Sequence, residues 1–116
     1  MKRSAVLLLF LGSLSGCHSY RIDATVENRT GGAIELLEVD YPSASFGVGS
    51  LAAGADYQYR FQVRGSGPVK VQYTEAGTNR QRQMTGQELS ERQEGRLEIT
   101  LRPEGKIEFQ PELSAH

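Results

Sequence analysis

Glu35, Glu38 and Asp40 lie together on one segment of the chain, and Glu88, Glu91 and Glu94 recur at every third residue. Carboxylates grouped in this way can hold a calcium ion or divide the roles of general acid and general base. Neither group has EF-hand spacing, and the second is interleaved with Arg92 and Arg96, as on a solvated charged face. Other chemistries fail by inventory. The histidines are His18 and the last residue, His116, so a serine or cysteine nucleophile has no base within the body of the chain. The single cysteine, Cys17, cannot complete a zinc or blue-copper site. There is no P-loop, and no Gly-x-Gly-x-x-Gly opens a helix. The expectation is a chain that uses no cofactor or metal and is not an enzyme. A small carboxylate-dependent enzyme is the least favoured alternative.

Binding residues are easier to nominate. Tyr57, Tyr59 and Phe61 repeat with a period of two, the spacing of one face of a strand. Such a stripe is either a stacking platform for a ligand or the core face of a central strand, and the lack of tryptophan favours the core. Residues 41–50, YPSASFGVGS, read as a long loop of small residues carrying Tyr41 and Phe46. Loops on rigid β scaffolds often carry recognition. Tyr41 and Phe46 are therefore the candidate recognition residues, and a small-ligand or carbohydrate binder using the 41–50 loop is an alternative reading.

The N-terminus carries the most specific signal. Lys2 and Arg3 precede an apolar run from Ala5 to Leu11, which closes on Leu14-Ser15-Gly16-Cys17. A charged start, a short apolar stretch and small residues at a cut site make a secretory signal peptide, and the run is too short to span a bilayer. Leu14-Ser15-Gly16-Cys17 resembles the lipobox of bacterial lipoproteins at all four positions. That resemblance covers residues 1–17. It implies removal of residues 1–16, a diacylglyceryl group on the Cys17 sulfur and, often, acylation of the new amine. Two or three acyl chains hold a protein to a bilayer far more firmly than one, at about 0.8 kcal/mol per buried CH₂. A lone thiol without a disulfide partner fits an attachment point better than a structural role. His18 rather than aspartate after the cysteine implies, in a Gram-negative cell, an outer-membrane lipoprotein facing the periplasm.

Removal of the leader leaves 100 residues with 11 basic against 14 acidic side chains. That balance excludes a nucleic-acid footprint and assigns membrane attachment to lipid rather than to charge. A chain of this size supports one domain with one modest core.

Period-two alternation dominates the mature chain. Strands are expected at 20–27 (YRIDATVE), 33–41 (AIELLEVDY), 57–63 (YQYRFQV), 69–74 (VKVQYT), 80–85 (RQRQMT), 96–102 (RLEITLR) and 106–110 (KIEFQ), with a short one near Phe46 and Val48. Turn clusters separate them at 28–32, 52–56, 64–68 and 75–79, and PEG suits a tight connection before 106. Adjacent Leu36 and Leu37 break the alternation, either as a β-bulge or as a strand buried on both faces. The polar segment 80–85 reads as an exposed edge. Residues 85–95, with Thr85, Glu88 and Gly95 as cap and stop, suit one or two helical turns or a loop.

Seven or eight short strands with regular turn signals argue for a small antiparallel β-sandwich, immunoglobulin-like or transthyretin-like. The expected organisation is a signal peptide over 1–16, lipidated cysteine and tether over 17–19, a sandwich over 20–110 and a flexible tail over 111–116. Tyr59, Phe61, Val71, Ile99 and Leu101 are the expected core. The favoured function is a membrane-anchored, non-enzymatic envelope lipoprotein that binds another envelope protein, with segment 80–85 open to strand addition.

Overall fold

The computed structural model describes residues 19–116, so the leader, Cys17 and His18 lie outside the described residues. Eight strands follow in order: β1 (Ile22–Asn28), β2 (Ile34–Tyr41), β3 (Ala44–Leu51), β4 (Asp56–Phe61), β5 (Ser66–Glu75), β6 (Gln81–Ser90), β7 (Gln93–Leu101) and β8 (Ile107–Ala115). A single 3-10 turn, Pro103–Gly105, joins the last two. The strands form two four-stranded sheets, β4-β1-β7-β8 (sheet A) and β3-β2-β5-β6 (sheet B), packed as a β-sandwich.

Pairing is antiparallel except between β1 and β7, which run parallel with Ile22 opposite Gly95 and Asn28 opposite Leu101. In an immunoglobulin sandwich the first strand would pair with the second. Here it lies between the fourth and the seventh, which removes the immunoglobulin-like alternative and leaves the transthyretin-like one.

Alternation places the core. Ile22, Ala24 and Val26 of β1 meet Val69, Val71 and Tyr73 of β5, Leu97, Ile99 and Leu101 of β7, and Val39 of β2 in one buried cluster. Leu89 joins it from β6. Polar residues between them point to solvent, as period two requires. The one fully buried amide, Asn28, is fully used. Its Nδ2 donates to the carbonyls of Gly32, Leu51 and Ala52 at 2.9–3.1 Å, and its Oδ1 accepts from Thr30 N and Oγ1. This amide fastens the end of β1 to the end of β3.

Four expectations need correction. Tyr59 is in phase with its strand but 41% exposed, because β4 is an outer strand with no neighbour to cover it. Residues 85–95 form no helix: β6 ends sheet B, a tight turn at Glu91 and Arg92 carries the chain across to β7 in sheet A, and the one apolar side chain, Leu89, is drawn into the core. The expected tail 111–116 is largely strand. Residues up to Ala115 pair with β7, and Pro111 is tolerated because β8 is an outer strand. The first strand begins at Ile22 rather than Tyr20, although Tyr20 stacks on His116 at 5.5 Å and the Arg21 carbonyl accepts from Gly95 N–H. The Leu36–Leu37 break is a bulge. Glu35 faces Thr74 and Glu38 faces Gln72 on β5, so two residues of β2 oppose one.

Candidate binding surface

Residues 41–50, expected as a loop, form the end of β2, a turn at Pro42–Ser43 and β3. Phe46 is accordingly not a displayed ring but 6% exposed, paired across from Val39. It lies in an aromatic cluster bridging the outer strands of the two sheets: 4.6 Å from Tyr59, 5.8 Å from Phe61 and 6.2 Å from both Tyr41 and Tyr57. Tyr41 stacks on Phe61 at 4.1 Å. Burial, with Tyr59 adding to it, pushes the Tyr41 hydroxyl above the ordinary tyrosine value. The Tyr57 hydroxyl donates to the Gly47 carbonyl of β3 at 3.1 Å, tying the two outer strands together. Tyr41 and Phe46 therefore stand on strands rather than in a loop and close one flank of the sandwich.

The carboxylate groups do not converge. Glu38 and Asp40 point out from β2 toward Gln72 and Lys70. The hydrogen bond that protonated Glu38 donates to Asp40, and repulsion by the Asp40 charge, raise Glu38 above the usual carboxylate value, while Lys70 pulls it down. Glu91 accepts from Gly65 N–H at 2.7 Å, and Glu94 lies 3.6 Å from the His116 imidazole, so the Glu88, Glu91 and Glu94 series is dispersed over the crossing from one sheet to the other. Among the described residues no three His, Cys, Asp or Glu side chains are grouped to hold a metal ion.

The opposite flank differs. β6 is the outer strand of sheet B, as the polar segment 80–85 suggested, and β8 is the outer strand of sheet A. Residues Gln81–Thr85 keep regular register with β5 before a shift near Pro68. Phe109 of β8 lies over Gly86 of β6; a Cβ there would come within 2.8 Å of the ring. Arg82 donates to Glu75 at 3.0 Å and packs against the turn at Gly105. Sequence reasoning missed this pairing because a glycine in a polar strand gives no sign of the ring above it.

The outer face of sheet B also holds a groove of about 450 Å³ beside the bulge, bordered by Leu36, Gln72, Thr74, Gln81, Arg82 and Gln83. The doublet Leu36-Leu37 marks the bulge in the sequence, but nothing there foretells that Leu36 is the residue expelled.

Comparison with known proteins bears on the fold. No protein-family model matches the sequence, and no curated protein does. The chain is similar to an NMR structure of a protein from Eubacterium rectale, with a TM-score of 0.58 over 84% of this chain and 95% of that one. The identity is 12%, so the likeness extends to the sandwich architecture and no further.

Proposed function

We propose that this chain is a lipid-anchored envelope lipoprotein whose sandwich is a non-enzymatic binding module, taking an extended segment of another envelope protein along β6. The observation that supports it is the contrast among the outer strands. The Gly47 carbonyl of β3 is occupied by Tyr57 of β4, and β8 carries Pro111, which has no N–H to offer. β4 itself has six residues against ten in β6 and is packed to β3 through the ring cluster. β6 offers the regular stretch Gln81–Thr85, free of proline. An open edge of this kind gives affinity through main-chain hydrogen bonds and specificity through alternate side chains. The lipobox at Leu14–Cys17 supports the anchor. The chain is pinned to the domain from Tyr20 onward, so few residues separate Cys17 from the fold and the partner lies close to the membrane.

Two measurements test this. The mass of the membrane-extracted protein should exceed that of residues 17–116 by an acyl increment, and a mature protein with a free Cys17 thiol overturns the anchor. A photo-crosslinker at Gln83 should capture an envelope protein that the same probe at Ser50 of β3 does not. Equal capture at both positions, or none at Gln83, overturns the β6 edge.

A further inference from the structure

Leu36 is out of place twice over. It stands at φ +52, a left-handed backbone that L residues with a side chain adopt at a cost, and it leaves 69% of its surface in water. The first residue of a bulge with this backbone is ordinarily glycine. A branched aliphatic side chain held there therefore gains nothing for the fold, and an outlier of this kind points toward function.

What lines the groove beside it is mostly neutral and polar. Gln72 faces Gln83 and Thr74 faces Gln81 across β5 and β6. Two rungs of amide and hydroxyl groups thus lie about 7 Å apart along the strands, all on the outer face. None of these four side chains has a hydrogen-bond partner among the described residues, whereas the one charged side chain bordering the groove is engaged. Arg82, which also borders the groove, is committed to Glu75 at 3.0 Å. The surface therefore offers donors and acceptors in mixed order, no uncommitted cation, one aliphatic wall, and the carboxylates of Glu35 and Glu38 on the neighbouring β2 rungs.

We propose that this groove binds a neutral, N-acetylated glycan chain. Glutamine amides both donate and accept, as sugar hydroxyls and acetamido groups do, and a threonine hydroxyl does the same. Leu36 supplies the apolar contact that the acetyl methyl or the carbon face of a sugar ring requires. An anionic ligand would find no free cation in the groove and would meet the carboxylates of Glu35 and Glu38, which accept from sugar hydroxyls equally well. The volume, about 450 Å³, falls within the range of small-molecule sites. The chemistry needs only the folded sandwich; that the glycan is that of a cell wall rests on the envelope reading above.

The test uses the full chain carrying Cys17→Ser, which keeps it free of lipid, and the tetramer of N-acetylglucosamine as probe. Titration should shift the side-chain amide resonances of Gln72, Gln81 and Gln83 saturably. The matching tetramer of glucose, which lacks the acetyl groups, should bind at least about fivefold more weakly, the factor expected for one lost contact or hydrogen bond. Leu36→Gly should weaken binding by a similar factor while melting no lower than the parent, because glycine accepts the left-handed backbone freely. Gln83→Glu should weaken it as well. Absence of shifts, equal binding of the two tetramers, or undiminished binding by Leu36→Gly overturns the proposal. A glycan that binds while Cys17 proves unlipidated overturns the anchor alone.

Discussion

Between β3 and β4 the two sheets are closed by rings stacked on rings; between β6 and β8 they are closed by one ring laid over a glycine. The first flank gathers Tyr41, Phe46, Tyr57, Tyr59 and Phe61 into one cluster and adds the Tyr57–Gly47 hydrogen bond. The second relies on Phe109 over Gly86 and on Arg82 spanning from Glu75 to the Gly105 turn. The aromatic flank has large areas to bury and shields its edge. The glycine flank depends on close approach and one ion pair, and it leaves a strand open. A sandwich with two ends to its sheets can thus make one side firm and keep the other available.

The comparison is sharpest at Phe61, which is 4% exposed and packs from sheet A against Tyr41 and Phe46 of sheet B. Phe61→Ala should cost about 3–5 kcal/mol in chemical denaturation, most of the stability of a domain this size. Phe109, half-buried, should cost clearly less on the same substitution; equal losses would erase the distinction between the flanks.

Next in size is Gly86→Ala. The added methyl meets the Phe109 ring, and overpacking of this kind costs about 1–3 kcal/mol. Combining it with Phe109→Ala should recover part of the loss, since the collision then disappears. Additive losses in the double variant would show that the ring does not sit where it is described.

Tyr57→Phe removes only the hydrogen bond to Gly47, at an exposed position. About 0.5–1.5 kcal/mol is expected. The more informative readout is self-association by sedimentation, because freeing the β3 carbonyl uncovers an edge.

The smallest effect is on pH dependence. Hydrogen bonds from Thr78 and then Arg82 hold Glu75 below its ordinary value of 4.5. A carboxylate lowered in the folded state stabilises above its unfolded value and loses that stabilisation as pH falls through the folded one. The denaturation midpoint should therefore drop on acidification below about 4.5, and Glu75→Gln should flatten that drop. Glu38, raised chiefly by its hydrogen bond with Asp40, acts in the opposite sense: its contribution is present at low pH and is lost as pH rises through its elevated value.

The asymmetry of the flanks explains what could be read in the sequence. Facing was legible wherever alternation held, so Phe61, Val71, Ile99 and Leu101 are buried as their phase requires. Depth was not, because phase does not reveal which strands are outermost; Tyr59 faces inward and is still exposed. Phe46 misled for the converse reason. A ring amid glycines and serines resembles a displayed residue, yet those small residues form a strand that lets the ring turn inward against Tyr59. The polar stretch before β7 lacked apolar content for a strand, and its backbone pairing supplied what its side chains did not. The outward groove depended on Leu36 taking a glycine's conformation, which no residue type announces.

The parallel contact between β1 and β7 bears on how the chain reaches this state. Sheet B can grow from hairpins: β2 with β3, β5 with β6, then β2 against β5. Sheet A has one hairpin, β7 with β8, but its centre cannot form locally, since the first strand in the chain waits for the seventh to arrive beside it. Bringing such distant segments together incurs loop-closure entropy before any contact rewards it, and topologies of this kind fold in the millisecond-to-second range. Assembly order is therefore built into the connectivity: a ribosome or a translocation pore delivering the chain from its N-terminus releases β1 first and lets it be locked among the last.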